Sequence, residues 1–297
     1  MDVPAGTAAR TAAALLAAVL LAGCSSSADE PAARPSAAPS AAPSTAPSTA
    51  PTPSPVGSPS PAVPAGDATY VALGDSVAAG VGADDPARAG YVPVLAALRS
   101  ARLGCDGAAP ADGCPVRVHN LAVPGATTET LLRDQLPTAV DLLRAGDVRT
   151  VTVTVGGNDV FVPVLRSCAQ APEAPECAAA VRSALATVDA GVDRLLVELT
   201  AAGPGATVAV MTYYDPLPAC RLAPLQPLAE RVLEGTGAED GLNDVLRARA
   251  AEHGAVVVET RERLSVPEDL VGGLDCLHPS TSGHARIAEA FAEALPG

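Results

Sequence analysis

Three side chains of this 297-residue sequence have the types and spacing that nucleophilic acyl chemistry needs. Ser76 ends the string Gly74-Asp75-Ser76 after an apolar run, so its hydroxyl would be exposed at a strand-to-helix turn. A serine needs a general base, and of the four histidines only His278 has a carboxylate one turn before it, Asp275. That carboxylate could hold one ring nitrogen while the other accepts the serine proton. Taken singly, each string also fits a helix cap or a local ion pair.

The other three histidines fit structural positions better. His119 lies at the end of a predicted strand, and His253 ends a predicted helix, where an imidazolium is favourable. His284 lies within the last predicted helix, and we expect it to be solvated.

Two further strand ends offer donors for the oxyanion of a tetrahedral intermediate. Gly125, in the loop Asn120–Thr127, could present an unobstructed backbone N–H. Asn158 follows Gly156 and Gly157, which let the backbone turn sharply and point the amide at the site. Each loop by itself is also compatible with no chemistry. Together, the serine, the glycine, the asparagine and the Asp/His pair follow separate strand ends in order.

Alternating strands and helices are predicted to position these residues. Apolar runs bounded by Gly or Pro predict strands at residues 70–73, 116–122, 150–155, 207–212 and 255–259. The clearest helical pattern has one apolar face, formed by Val181, Leu185, Val188, Val192, Leu195, Leu196 and Leu199. A last helix follows Ser280, with Ile287, Phe291 and Leu295 at four-residue spacing. Nearly continuous apolar strands that alternate with helices indicate a parallel sheet covered on both faces, with function at the carboxyl ends of the strands.

Four sequence blocks in combination resemble the SGNH or GDSL hydrolase family. They are Gly74 to Ser76, Asn120 to Gly125, Gly156 to Asp159 and Asp275 to His278. Val77 stands where the name-giving motif has leucine, at a packing position. The resemblance extends over residues 70–295 and implies a flavodoxin-like, doubly wound three-layer α/β/α sandwich with about five parallel strands.

The same resemblance implies a role for each candidate residue. Ser76 would be the nucleophile, His278 the general base and acid, and Asp275 the orienting carboxylate. The oxyanion hole would consist of the Ser76 N–H, the Gly125 N–H and the side-chain amide of Asn158.

The N-terminus is similar to a bacterial lipoprotein signal peptide. An apolar run, residues 11–22, leads into Cys24, and about a dozen residues are too few to span a bilayer. The resemblance implies removal of residues 1–23 and lipid attachment at Cys24, on the outer face of the bacterial cell membrane. If no lipid is attached at Cys24, we expect the protein to be secreted. Residues 24–65, rich in Pro, Ala, Ser and Thr, are predicted to form an extended tether to a hydrolase domain at 66–297.

Six cysteines remain after Cys24, as suits an exported protein that keeps disulfide bonds. Six thiols allow fifteen connectivities. Short separations favour Cys105 with Cys114 and Cys168 with Cys177, which leaves Cys220 with Cys276. A zinc site is disfavoured because the chain has no paired Cys-x-x-Cys motif.

Composition excludes several classes of function. All 19 cationic side chains are arginine, so a phosphate-binding P-loop lysine, a pyridoxal Schiff base and a Ser-Lys dyad are excluded. A net charge of −14 and the absence of tryptophan argue against a nucleic-acid partner. We expect no metal, no cofactor and a monomeric protein.

The leading hypothesis is a surface-tethered serine hydrolase that cleaves carboxylic esters through an acyl-enzyme. Its substrate would be a lipid, a small ester or an acetylated polysaccharide. One alternative with the same residues is an O-acetyl esterase or acyltransferase acting on envelope polysaccharide. Another, from a different class, is a lipoprotein ligand-binding module in which Ser76 and His278 only form hydrogen bonds to a ligand.

Overall fold

Five parallel strands form one sheet in the order β2-β1-β3-β4-β5. The computed structural model describes residues 69–102, 116–168, 170–217, 220, 223–264, 267–275 and 277–296. The strands are β1 (Thr69–Gly74), β2 (Arg117–Asn120), β3 (Val148–Thr154), β4 (Thr207–Met211) and β5 (Val256–Val258). All five predicted strands are present, although β2 and β5 are shorter than the apolar runs predicted.

Nine α-helices are present in the described part of the chain. They are α1 (Pro86–Ala89), α2 (Tyr91–Arg102), α3 (Thr128–Asp134), α4 (Leu136–Ala145), α5 (Gly157–Cys168), α6 (Pro175–Ala202), α7 (Gln226–Glu234), α8 (Leu242–Glu252) and α9 (Thr281–Ala294). Single 3₁₀ turns cover Ala223–Leu225 and Pro267–Asp269.

The helices cover both faces of the sheet. Helix α2 packs against α9, whereas α6 packs against α4, α5 and α8. The strand order reverses direction at β1. Because crossovers between parallel strands are right-handed as a rule, this reversal puts the two groups of helices on opposite faces. The chain therefore has the three-layer, doubly wound α/β/α fold that the sequence predicts.

The core follows from strands rich in Val and Thr and from one apolar face of each long helix. In β3, every residue except Arg149 is buried, as expected of an inner strand covered on both faces. In α6 the predicted apolar face is buried at six of its seven positions, and Val181 packs against the core from a half-buried position. Ser280 caps α9, since its side chain accepts a hydrogen bond from the Gly283 N–H.

The environment of His284 differs from the one that the sequence predicts. It was predicted to be solvated, yet its side chain is fully buried in α9. The Tyr91 N–H donates to its Nδ1 at 3.3 Å, and its Nε2 donates to the Val81 carbonyl at 2.9 Å. Its ring therefore connects α2 and α9 to the loop that follows β1.

The cysteine predictions divide between described and undescribed residues. Cys168 and Cys177 are joined by a disulfide with a Cα–Cα distance of 4.8 Å, which links the end of α5 to the start of α6. Cys220 is also disulfide-bonded. Cys24, Cys105, Cys114 and Cys276 lie outside the described residues, as do the predicted signal segment and tether.

None of the helices in the described ranges has both the length and the apolar character needed to cross a bilayer.

Candidate active site

Gly74 sets the geometry of the turn that leads from β1 to Ser76. Its N–H donates to Gln135 Oε1 at 2.9 Å, and Gln135 Nε2 donates to its carbonyl at 2.8 Å. A Cβ at this position would lie 2.2 Å from Thr154 Oγ1 and 2.5 Å from the Thr154 carbonyl. Only glycine permits this approach between the ends of β1 and β3, so the backbone before the serine is fixed on both sides.

Asp75 is buried beneath this turn and accepts three hydrogen bonds. Its Oδ1 accepts from the Val77 N–H at 2.9 Å and from Thr154 Oγ1 at 3.1 Å, and its Oδ2 accepts from the Tyr213 hydroxyl. Burial raises the pKa of Asp75 above its ordinary value, against the opposing effect of the Tyr213, Val77 and Thr154 hydrogen bonds. The residue is therefore a structural anchor for the serine turn.

Ser76 is half-buried at the carboxyl end of β1. Its carbonyl accepts a hydrogen bond from the Val81 N–H at 2.9 Å, which closes the following loop. Neither its Oγ nor its N–H forms a hydrogen bond with another described residue. Both groups are therefore available to a substrate.

Asp275 and His278 are directly bonded in the loop before α9. His278 Nδ1 lies 2.8 Å from Asp275 Oδ2 and 3.0 Å from Oδ1, while the N–H groups of Leu277 and His278 donate to Oδ1 at 3.0 and 3.1 Å. Burial acts on the Asp275 carboxyl to raise its pKa, but the His278 and Leu277 hydrogen bonds outweigh it and leave the pKa below its ordinary value. An ionised Asp275 holds the proton on Nδ1, so Nε2 is left as the acceptor.

The His278 loop packs against the loop that follows Ser76. A Cβ placed on Gly82 would lie 2.2 Å from the Pro279 carbonyl and 3.1 Å from His278 Cβ. His278 also interacts electrostatically with Asp75, the neighbour of the serine. No hydrogen bond joins Ser76 Oγ to His278 among the described residues. Hydrogen bonds between a nucleophile and its base often shorten only when substrate binds.

Two loops place Gly125 and Asn158, the candidate oxyanion donors, beside the serine turn. Gly125 has a left-handed φ of 82° that favours glycine, and its N–H has no acceptor among the described residues. The same loop is tied to β1 because the Val123 N–H donates to the Gly74 carbonyl at 3.0 Å. Asn158 Nδ2 donates to the Ala126 carbonyl at 3.0 Å, which leaves its second N–H free for a ligand.

Asp159 fastens these two loops together. Its carboxylate accepts from the Thr128 N–H at 3.0 and 3.1 Å and from Thr128 Oγ1 at 2.7 Å. Burial raises the pKa of Asp159, against the opposing Thr128 hydrogen bonds. The last residue of the Gly156–Asp159 block therefore acts on α3 rather than on a substrate.

Sequence reasoning missed four residues that support this site. Tyr213 and Tyr214 bond groups of Asp75 and Leu277, which directly precede Ser76 and His278, whereas Gln135 and His284 bond the backbone of Gly74 and Val81 on either side of the serine turn. None of the four supporting residues belongs to the four blocks. Tyr213 and Tyr214 directly follow the apolar run of β4, and that position at a strand end was the signal available in the sequence.

One cluster of metal-ligating residue types lies away from these loops. Ligand atoms of Asp193, Glu252 and His253 lie within 4.8 Å of one another, where α6 meets the end of α8. Arg249 Nη1 already lies 3.6 Å from Asp193 and 2.6 Å from Glu252. We assign this cluster to ion pairing between the two helices.

The loops that follow the strands of this doubly wound α/β/α sheet hold the residue types that ester hydrolysis needs. The chain belongs to the GDSL-like Lipase/Acylhydrolase family, which it matches over residues 72–286. That membership makes it a carboxylic ester hydrolase.

Several solved structures share the fold of this chain. An extracellular lipase from Streptomyces rimosus is 23% identical with a TM-score of 0.55, and the match covers 77% of this chain and 100% of the lipase. Phospholipase A1 from Streptomyces albidoflavus NA297 is 23% identical with a TM-score of 0.52, and the match covers 77% and 99% of the two chains. A lipase from a goat rumen metagenome is 19% identical with a TM-score of 0.55, and the match covers 76% and 97%. No curated protein sequence matches the chain significantly.

Proposed function

We propose that the protein hydrolyses carboxylic esters through an acyl-enzyme formed on Ser76. The observation that carries this proposal is the Asp275–His278 pair, whose loop packs on the loop after Ser76. Ser76 Oγ attacks the ester carbonyl while His278 Nε2 accepts its proton and then gives it to the leaving alcohol. Water repeats the sequence on the acyl-enzyme and releases the carboxylic acid.

Three N–H donors would stabilise the charge that develops on the carbonyl oxygen. Those of Ser76 and Gly125 have no acceptor among the described residues, and Asn158 keeps one N–H free. Donors fixed before the reaction need no rearrangement as the oxyanion forms. The hydrogen bonds of Asp75 and Asp159 supply that rigidity.

Exposed aliphatic side chains beside the base favour an apolar acyl group. Val271, Leu274 and Leu277 are 39%, 66% and 36% exposed within one short segment around Asp275, and Val123 in the oxyanion loop is 50% exposed. These are four of the six large hydrophobic residues that are exposed in the described part of the chain. Scattered exposed hydrophobics are ordinary, but a concentration beside a reactive centre indicates a binding surface.

The aromatic residues argue against a polysaccharide substrate. The chain has no tryptophan, and all four of its tyrosines are buried. Phe291 is buried in α9, where it stacks on Tyr91 at a centroid distance of 5.1 Å. Phe161 is half-buried in α5 and packs against the core. None of the six aromatic side chains, all of which lie among the described residues, is therefore exposed as a flat surface for sugar rings. We propose an ester of an aliphatic acid longer than acetic acid as the substrate class.

Hydrolysis of p-nitrophenyl esters from acetyl to palmitoyl tests this proposal. We expect turnover with wild type, its loss in Ser76→Ala, and a preference for chains longer than acetyl that weakens in Leu274→Ser and Leu277→Ser. Acetylated xylan and peptidoglycan run in parallel should be poor substrates. Activity retained in Ser76→Ala would overturn the acyl-enzyme, and a preference for the acetylated polymers would overturn the substrate class.

We also propose that Cys24 carries a lipid anchor and that residues 24–65 tether the hydrolase to the cell surface. The support is the short apolar run that ends at the cysteine and the proline-rich segment after it. Cell fractionation tests the proposal: Cys24→Ala should move the enzyme out of the membrane fraction. An unchanged distribution would contradict lipid attachment at that residue.

A further inference from the structure

Two consecutive tyrosines follow β4, a strand whose end contributes no residue of the four blocks. Tyr213 and Tyr214 are 5% and 2% exposed. Strand β4 pairs with β3, whose carboxyl end leads directly into Asn158. The two phenol rings therefore lie behind the candidate site, and their hydroxyl groups must find partners inside the protein.

Tyr213 contacts both the nucleophile turn and the oxyanion segment. Its hydroxyl donates to Asp75 Oδ2, next to Ser76. A Cβ on Gly157 would lie 2.9 Å from its Cε1 atom and 3.2 Å from Cζ, so its ring covers the residue before Asn158. The ring contact and the hydroxyl bond together set the spacing between the two segments.

The backbone of Tyr213 is fixed independently of these contacts. Its N–H donates to Asn243 Oδ1 at 2.7 Å, and Asn243 Nδ2 donates back to its carbonyl at 2.8 Å. Asn243 is fully buried at the start of α8. Its paired bonds anchor the two tyrosines to α8.

Tyr214 contacts the opposite side of the candidate site. Its hydroxyl donates to the Leu277 carbonyl at 2.7 Å, and Leu277 directly precedes His278. Among the described residues, the other hydrogen bonds of Asp275, Leu277 and His278 lie within this segment, apart from the one that the Val271 N–H donates to the His278 carbonyl at 3.0 Å. Tyr214 therefore bonds the base-bearing loop to the end of β4.

We propose that Tyr213 and Tyr214 form a positioning pair that sets the distance between the nucleophile and its base. The two tyrosines are adjacent in the chain. A single peptide bond therefore joins Tyr213, whose hydroxyl bonds Asp75, to Tyr214, whose hydroxyl bonds the Leu277 carbonyl. The proposal rests on the acyl-enzyme function of Ser76. Neither tyrosine touches the substrate; each acts through a neighbour of a reacting residue.

Single Tyr→Phe variants test the pair, because each removes one hydroxyl and keeps the ring. Tyr70→Phe is the matched control, since Tyr70 is also fully buried and its hydroxyl bonds Thr152 Oγ1 at 2.8 Å within the sheet. All three variants should stay folded, and Tyr213→Phe should lose the most thermal stability because its hydroxyl bonds a buried carboxylate. We expect kcat to fall about tenfold or more in Tyr213→Phe and Tyr214→Phe, with KM within about twofold and both constants unchanged in Tyr70→Phe.

A double variant supplies a readout that a purely structural role would not move. In Tyr213→Phe the buried Asp75 carboxylate loses a donor, and Asp75→Asn removes the charge that needed it. Adding Asp75→Asn to Tyr213→Phe should therefore lower kcat less than adding it to wild type. Independent, multiplicative effects of the two substitutions would overturn the link through Asp75.

The outcomes separate this proposal from the proposed function. If both tyrosine variants keep the kcat of Tyr70→Phe while Ser76→Ala is inactive, the positioning role is wrong and the acyl-enzyme stands. If Ser76→Ala retains activity, the proposed function itself fails. Should one tyrosine variant not fold, the other still tests the pair, because their contacts lie on opposite sides of the site.

Discussion

Asp275 binds His278 at two points, the ring Nδ1 at 2.8 Å and the backbone N–H at 3.1 Å. The double attachment fixes both the tautomer and the orientation of the ring. Because the pKa of Asp275 is lowered by these bonds despite its burial, the carboxylate stays ionised throughout the range in which a histidine titrates. Loss of activity on acidification above about pH 4 is therefore not due to protonation of Asp275.

Asp275→Asn should lower kcat by about 10²- to 10⁴-fold, because an amide neither fixes the tautomer nor stabilises the imidazolium. Steady-state kinetics with a chromogenic ester measure the effect. Asp215→Asn is a matched control, since Asp215 Oδ1 likewise accepts from the N–H two residues ahead, that of Leu217, at 3.0 Å. Equal kcat in the two variants would exclude Asp275 as the orienting acid.

Asn158→Ala should reduce kcat by about 10²- to 10³-fold, since it removes one donor to the oxyanion. The variant also loses the 3.0 Å bond to the Ala126 carbonyl, which should cost about 1 kcal/mol of stability. Asn158→Asp should be slower still, because a carboxylate repels the developing charge. A loss confined to KM, with kcat retained, would show that Asn158 only binds the substrate.

His284 should make the folded protein sensitive to mild acid. Burial lowers the pKa of His284 below its ordinary value of 6.5, and both ring nitrogens are already bonded, to Val81 and Tyr91. As the pH falls through about 6.5, the unfolded chain takes up a proton here that the folded chain does not. The free energy of unfolding should therefore fall until the pH reaches the lower pKa of the folded state.

Urea unfolding at about pH 7.5 and about pH 5 measures this effect. His284→Gln should show a smaller loss of stability between the two pH values than wild type, whatever its stability at neutral pH. His119→Gln, on edge strand β2, should keep the wild-type loss. If His284→Gln shows the same loss of stability between the two pH values as wild type, the acid sensitivity comes from another group.

The sheet was predictable because its signal is local. Strands β1, β3 and β4 are covered on both faces, so nearly every consecutive residue in them is buried. Runs rich in Val, Thr and Ala therefore identify these strands in the sequence. The candidate residues were found for a related reason. Ser76, Gly125 and Asn158 each follow a recognisable strand, and the carboxyl ends of parallel strands share one edge.

The supporting residues were not predictable because their partners are distant in the sequence. Tyr213 bonds Asp75 across 138 positions, and His284 bonds Val81 across 203. A histidine between Gly283 and Ala285, with polar neighbours nearby, resembles a solvated helix position. Its burial is decided by the packing of α9 against α2, which no local pattern encodes.

Reaction with a fluorophosphonate ester, followed by mass spectrometry of the digested protein, identifies the nucleophilic serine directly. We expect one phosphonyl group per chain, located on the peptide that contains Ser76, with slower labelling in His278→Ala and none in Ser76→Ala. In a ligand-binding module, Ser76 would not be activated by a base and would not react. Absence of labelling, or a label on another serine, would contradict Ser76 as the nucleophile.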